Sequence, residues 1–165
     1  MALIIEDGSG VSNANSYASV GTVDAYHTSR GNATWTGDTT PKEAAILRAM
    51  DYIEGMPWKG QRAIYTSTLE WPRLNDLDRS GYPIAADTVP QGVILALCAA
   101  ALVELVTPGA LAPVLERGGM VKREKVDVIE TEYMDGAPSS TTYPAIMAPL
   151  KGLVGAGYVV ELVRA

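Results

Sequence analysis

The sequence has little of what most metal sites and covalent cross-links require. Its 165 residues include one cysteine, Cys98, and one histidine, His27. A single cysteine excludes an internal disulfide, and no cysteine pair is present to hold a zinc ion. The apolar neighbours Leu97 and Ala99 indicate that Cys98 fills a core in a reducing compartment. We therefore expect neither a metal ion nor a cofactor.

Charged residues are scarce, and those present are mostly acidic. They make up 19% of the chain, below the quarter or so that is typical of soluble domains, whereas 47% of residues are hydrophobic. With 13 basic and 19 acidic residues, the formal net charge is −6. This charge disfavours sequence-independent DNA binding, because its field repels phosphate. It is compatible with an acidic wall past which DNA slides, and the scarcity of charge favours apolar contact with a partner.

Long hydrophobic runs are also missing. The uncharged run between Gln91 and Glu104 is shorter than the roughly 20 residues that a bilayer span needs. Residues 1–6 lack the basic region and the long apolar region of a signal peptide. We therefore expect a product made in the cytoplasm, with no membrane partner.

Helix signals dominate the first two thirds of the chain. Ser19 is a suitable N-cap for a first helix that ends at Gly31. Thr40, Pro41 and Glu43 form a capping-box pattern that predicts the start of a second helix, which ends at Gly55. At 100° per residue, one face of the second helix collects the apolar residues Ala45, Ile46, Ala49, Met50, Tyr52 and Ile53.

A third helix is predicted from Pro90 to about Thr107, and it is apolar on nearly every side. One stripe contains Val93, Ile94, Leu97, Cys98, Ala101, Leu102 and Leu105. The other face contains Leu95, Ala96, Ala99, Ala100 and Val103. Both faces need cover, and a neighbouring subunit is one way to provide it.

The connection over residues 56–89 is rich in proline, glycine and aromatic residues, which predicts an ordered loop anchored by Trp58, Tyr65, Trp71 and Tyr82. Pro72 forces Trp71 into an extended conformation, which pins the indole while Arg73 faces outward. Pinning into the core is the favoured interpretation for Trp71, and partner contact is the alternative.

The last third of the chain predicts strands. After a possible short helix over residues 110–115, the alternation at residues 129–133 predicts a β-hairpin that turns near residues 126 and 127. A proline-bounded helical turn over residues 143–150 and a closing strand over residues 158–163 follow. The fold class is thus mainly α (α+β), three or four helices in a small bundle with a β-hairpin and a C-terminal strand. A single domain contains an N-terminal arm (1–18), a helical core (19–115), the hairpin (119–134) and a C-terminal segment (143–165).

The chemistry-bearing residues form no catalytic pattern. His27 has Asp24 one helical turn earlier, but no positioned nucleophile follows from the spacing, so a small hydrolase that uses His27 ranks last among the hypotheses. One local basic cluster, interspersed with Glu116 and Glu124, contains Arg117, Lys122, Arg123 and Lys125. The cluster either contacts DNA phosphate or an acidic partner, or forms a solvated face with intermixed ion pairs.

Several short blocks, in order along most of the chain, resemble a family from tailed bacteriophages and prophages. These are residues 6–10 and 13–17, Ala25-Tyr26, Arg30-Gly31, Trp71-Pro72-Arg73, residues 78–82, 116–119 and 121–126. The family carries the label of DnaT-like single-stranded-DNA-binding proteins, and it is similar to the head–tail connector, or adaptor, proteins of phages. Thr22 departs from the family pattern, and residues 152–165 match no part of it.

The resemblance implies a structural protein of the virion, not an enzyme. It implies a connector subunit in a homo-oligomeric ring, commonly twelvefold, that contacts the portal protein and a tail or neck protein. DNA passes through such a ring as cargo. The protein is then found in the virion neck, and in the host cytoplasm during assembly. The arm and the C-terminal strand are expected to latch onto adjacent proteins.

Two hypotheses remain open, and they require different properties of the protein surface. The net acidity favours the connector, whose candidate interface residues are Trp71, Arg73, Arg117, Lys122, Arg123, Lys125, Ile129 and Tyr133. The alternative is a replication accessory protein that binds single-stranded DNA, which requires a basic groove with aromatic side chains.

Overall fold

The structure is a computed structural model that describes residues 2–112, 123–126, 129–132 and 143–155. Within these residues the chain forms four helices, α1 (Val20–Ser29), α2 (Thr39–Glu54), α3 (Gln91–Val106) and α4 (Pro144–Met147). Strand β1 (Gln61–Arg62) pairs antiparallel with β2 (Arg73–Leu74), and β3 (Arg123–Val126) pairs antiparallel with β4 (Ile129–Glu132). The fold is mainly helical with a hairpin, as the sequence predicts.

Helix α3 is the centre of the molecule. It packs mainly against α2, and α1 and α4 contact it on other sides. The consecutive residues Ala96 to Ala101 are all buried, because small alanine side chains let the neighbouring helices approach closely. On the second apolar face Ala96, Ala99 and Ala100 are buried and Leu95 and Val103 are half-buried. The chain therefore covers this face itself, and a neighbouring subunit is not needed for it.

The helix boundaries agree with the sequence except at the start of α2. Ser19 caps α1, since its hydroxyl accepts from the amide of Thr22. The capping box predicted at Thr40 is wrong, because α2 begins at Thr39 and its N-cap is Asp38. Pro41 then lies in the first turn, where amides have no intrahelical partner and a proline is tolerated. The predicted apolar face of α2 is confirmed, with only Tyr52 half-buried.

The N-terminal segment is packed onto the core instead of forming a free arm. The buried carboxylate of Glu6 accepts hydrogen bonds from the amides of Gly8, Gly10 and Val11, each at 2.8 Å. A Cβ at Gly8 would lie 2.0 Å from the carbonyl oxygen of Asp87, so only glycine allows this approach. The described residues of this segment are held by their own chain, and their contact with adjacent proteins stays a prediction.

The end of α4 lies against the start of α3. A Cβ at Gly92 would be 2.5 Å from the carbonyl oxygen of Pro149, which means that the two backbones are in direct contact. Leu150 and Leu153 are buried next to this contact. The predicted helical turn near residues 143–150 is thus confirmed, and it brings Lys151 and Gly152 close to the α3 N-terminus.

The remaining predictions have mixed outcomes. The hairpin is confirmed, with Val126 opposite Ile129, and residues 127 and 128 between its strands lie outside the described part. Residues 107–112 form turns, which contradicts the described part of the predicted short helix, because Pro108 and Gly109 break the helical path. The closing strand at residues 158–163 lies outside the described residues. None of the described helices is long and apolar enough to cross a membrane.

Candidate functional site

Trp71 is a core residue. Its side chain is fully buried, and its ring packs edge-on against that of Trp58, with the centroids 5.6 Å apart. Its amide donates to the hydroxyl of Tyr17, which in turn donates to Glu54. Burial raises the pKa of both Tyr17 and Glu54, which share an enclosed hydrogen-bond network. The preferred interpretation of Trp71 as a pinned side chain is confirmed, and its place among the interface residues is wrong.

Arg73 also points inward, contrary to the prediction. It is 5% exposed, and its guanidinium donates to the carbonyl oxygens of Lys59, Gly60 and Glu70 and to the Glu70 carboxylate. The physical reason is that a long connection contains backbone carbonyls with no strand or helix partner, and a buried guanidinium satisfies several at once. Arg73 therefore holds the connection together and is not an interface residue.

The hairpin contains three of the other predicted interface residues. Arg123 and Lys125 lie in β3 and Ile129 lies in β4. The backbone register sets Arg123 opposite Glu132 and Lys125 opposite Glu130. The predicted interface residues Arg117, Lys122 and Tyr133 lie outside the described residues. Each basic position of β3 thus faces an acidic position of β4, an arrangement that stabilises strand pairing.

His27 is buried between α1 and α3. Its Nε2 lies 3.0 Å from the carbonyl oxygen of Cys98 and its Nδ1 lies 3.0 Å from Nδ2 of Asn32. Burial lowers the pKa of His27 and favours the neutral ring. Asp24 does not orient this ring, because its carboxylate accepts from Trp35 and Lys42 instead. The geometry favours a packing role for His27 over the role of a catalytic base.

A tight turn at residues 78–82 presents two exposed side chains, those of Arg79 and Tyr82. The Asp78 amide donates to the Tyr82 carbonyl at 2.8 Å, and the Gly81 amide donates to the Asp78 carbonyl at 3.0 Å. Tyr82 is 70% exposed and Arg79 is exposed beside it. Tyr82 had been predicted to anchor the loop, and so had Tyr65, which is 93% exposed. Both predictions are wrong, although the Asp-x-Ser-Gly pattern of residues 78–81 is a recognisable turn signal.

Three cationic side chains meet around this turn. Nζ of Lys59 donates to the carbonyl of Gly152 at 2.8 Å, and a Cβ at Gly152 would lie 3.0 Å from Cα of Arg79. Lys151 is adjacent in sequence and is also exposed. We call Lys59, Arg79, Tyr82 and Lys151 the Arg79 surface. Its three cations outnumber the one exposed carboxylate of the turn, that of Asp78, so its local charge is positive although the protein is acidic.

Two clefts lie on either side of Arg79. One, of about 320 Å³, is lined by Lys59, Arg79 and Gly152 and also by Asp76, an acid that is buried and whose pKa is raised by that burial. The other, of about 530 Å³, is lined by Arg79 and Lys151. Arg79 therefore forms a ridge between two concave regions, each of which contains a second cation.

The amino end of α3 opens onto the larger cleft. Pro90, Gln91 and Gly92 line it, and no side chain caps this helix end. The first amides of a helix have no intrahelical acceptor, and the helix dipole adds partial positive charge there. Together with Arg79 and Lys151, the cleft has the features of an anion-binding region.

A family described as "Putative DnaT-like ssDNA binding protein" matches residues 1–165, the whole chain. The protein belongs to this DnaT-like family. No curated protein and no solved structure matches it.

Membership of the DnaT-like family changes the balance between the two hypotheses. The family description agrees with the single-stranded-DNA alternative better than with the connector, and the comparisons contain nothing about a virion. In this DnaT-like protein Lys59, Arg79 and Lys151 line the two clefts, and the exposed Tyr82 belongs to the same turn as Arg79.

Proposed function

We propose that this DnaT-like protein binds single-stranded DNA through the Arg79 surface. The observation that supports the proposal most directly is that the turn with the exposed Tyr82 also contains Arg79, which lines two clefts, one with Lys59 and one with Lys151. Single-strand binders combine aromatic rings, on which bases stack, with cations that follow the phosphates. The same two elements are present here within one small area.

The net charge of −6 sets a limit on affinity but does not exclude binding. At physiological ionic strength the Debye length is about 8 Å, so acids elsewhere on the surface are largely screened from DNA bound here. The local excess of cations then acts on the nearest phosphates. Because only three side chains contribute, we expect affinity in the micromolar range and little sequence preference.

The turn favours an unpaired strand over a duplex. In a duplex both faces of a base are stacked on its neighbours, whereas a flexible single strand can place one base against the exposed Tyr82 ring. The uncapped amino end of α3 offers backbone donors to a phosphate in the larger cleft. The strand is therefore expected to run from one cleft to the other over Arg79.

Alanine substitutions in the Arg79 surface test this proposal. Tyr82→Ala removes base stacking, which is worth about 1–3 kcal/mol per base, so we expect the Kd for a labelled oligonucleotide to rise about fivefold or more. Arg79→Ala is expected to weaken binding and to lower its salt dependence. Fluorescence anisotropy with a mixed-sequence oligonucleotide measures both effects.

Tyr65→Ala is the matched control, since Tyr65 is even more exposed but lies outside the Arg79 surface. Its Kd should remain that of the unmodified protein. Equal losses for Tyr65→Ala and Tyr82→Ala, or no loss for Tyr82→Ala, would place the DNA elsewhere.

A head–tail connector subunit is the second candidate function. It is favoured by the overall acidity, which suits a passage for DNA, and by the hairpin, because neither of its strands packs against a helix within the described residues. In this proposal the hairpin contacts a neighbouring subunit or the portal. Negative-stain images of the protein with portal would show rings if the proposal is correct, and unattached single particles if it is not.

A further inference from the structure

We infer that Asp78 is a positioning residue of the DNA site, an inference that rests on the function proposed above. Its Oδ1 accepts hydrogen bonds from the amides of Ser80 at 2.8 Å and Tyr82 at 2.9 Å. An aspartate that binds the amides two and four residues ahead closes the turn with its own side chain. Asp78 thereby sets the direction in which the chain presents Arg79 and Tyr82.

The tip of the turn has few other constraints. Residues 77–83 are all exposed, and besides the two Asp78 side-chain bonds, backbone bonds join Asp78 to Gly81 and to Tyr82. At the base of the turn Leu77 pairs with Pro83, and the Ile84 amide donates to the Asp76 carbonyl at 3.0 Å. Gly81 has a φ of +87°, a conformation that glycine adopts at no steric cost. Without the carboxylate the two amides donate hydrogen bonds to water instead, and the loop samples more conformations.

The negative charge of Asp78 acts against the same site. It lines both clefts and lies among the three cations, where a phosphate would approach. The acceptor oxygen and the charge therefore have opposite effects on binding: the oxygen orders the turn, and the charge repels the ligand. Asparagine keeps an oxygen in the same place and removes the charge, so the two effects can be separated.

Two substitutions at this position test the inference. Asp78→Asn is expected to lower the Kd for a short single-stranded oligonucleotide by about two- to fivefold, by analogy with a single screened charge contact near a surface. Asp78→Ala removes the same charge together with the acceptor oxygen, so its Kd is expected to be about fivefold higher than that of Asp78→Asn, because Tyr82 and Arg79 are no longer held in place. Asp87→Ala removes an exposed acid outside both clefts and should change the Kd little.

Hydrogen exchange gives a readout that does not depend on DNA. The amides of Ser80 and Tyr82 should exchange faster in Asp78→Ala than in the unmodified protein and stay protected in Asp78→Asn. Unchanged protection in Asp78→Ala overturns the positioning role, whether or not DNA binds. Altered protection with equal Kd values in the two variants shows that the turn is ordered by Asp78 but does not control binding, and this also overturns the inference. If neither the unmodified protein nor any variant binds DNA, the proposed function and the inference about Asp78 both fail.

Discussion

Replacing Trp71 with alanine is expected to lower the free energy of unfolding by about 3–5 kcal/mol, the range for removing a large buried aromatic side chain. The indole is fully enclosed, contacts Trp58 and lies where the N-terminal segment, α2 and the 56–89 connection meet. Truncation leaves a cavity that these three parts of the chain cannot all collapse into. Urea denaturation followed by tryptophan fluorescence or circular dichroism measures the change.

Trp71→Phe is the informative control. The Trp71 Nε1 atom is buried without a hydrogen-bond partner among the described residues, and phenylalanine keeps an aromatic ring without this unfavourable N–H group. We expect Phe to cost less than half as much as Ala. A Trp71→Ala protein that unfolds at the same urea concentration as the unmodified protein would show that the ring is not a core residue.

Glu104→Ala is expected to cost about 3 kcal/mol, the lower end of the range for breaking a buried ion pair. Glu104 is 1% exposed and accepts from Nε of Arg48 at 2.8 Å and from the amides of Gly109 at 2.7 Å and Leu111 at 3.0 Å. Removing its carboxylate leaves the amides of Gly109 and Leu111 without an acceptor, and Leu111 is buried. The lower end applies because the Arg48 side chain reaches solvent.

The same residue predicts a pH dependence of stability. Burial alone would raise the pKa of Glu104, but the hydrogen bonds from Gly109, Leu111 and Arg48 outweigh burial and lower it. A carboxyl whose pKa is lower in the folded state stabilises the fold above its unfolded pKa of about 4.3. That contribution is lost as the pH falls through the folded value.

Glu104→Gln isolates this effect, because glutamine keeps an acceptor and cannot titrate. The difference in unfolding free energy between Glu104→Gln and the unmodified protein should be large at pH 7 and shrink as the pH falls below 4. A difference that is the same at both pH values would contradict the assigned hydrogen bonds.

The helices could be predicted from the sequence because their signals are local. The apolar face of α2 follows from its spacing, and Ser19 and Pro108 mark helix ends through their own backbone chemistry. The start of α2 was misplaced for the same reason: Thr40 satisfies the capping pattern, but the N-cap lies two residues earlier, at Asp38. Local patterns alone do not decide between two nearby cap residues.

The candidate site was missed because its parts are distant in sequence. Lys59, Arg79 and Lys151 meet only through the packing of Gly152 against the turn, and no periodic pattern connects them. Aromatic side chains are buried on average, and the aromatic residues of the connection were assigned to the core for that reason. The assignment is correct for Trp71 and wrong for Tyr65 and Tyr82. Arg73 was assigned to the surface by the same kind of tendency, and the carbonyls that it satisfies become visible only in the fold.

The most direct test of DNA binding at the Arg79 surface is a salt titration of the unmodified protein with a labelled single-stranded oligonucleotide. Each neutralised phosphate contributes about 0.7 to the slope for single strands, so contacts from Lys59, Arg79 and Lys151 predict that log K falls with log salt at a slope of about −2. Binding that is absent at low salt, or whose slope is unchanged when Arg79 and Lys151 are both replaced by alanine, would contradict the account.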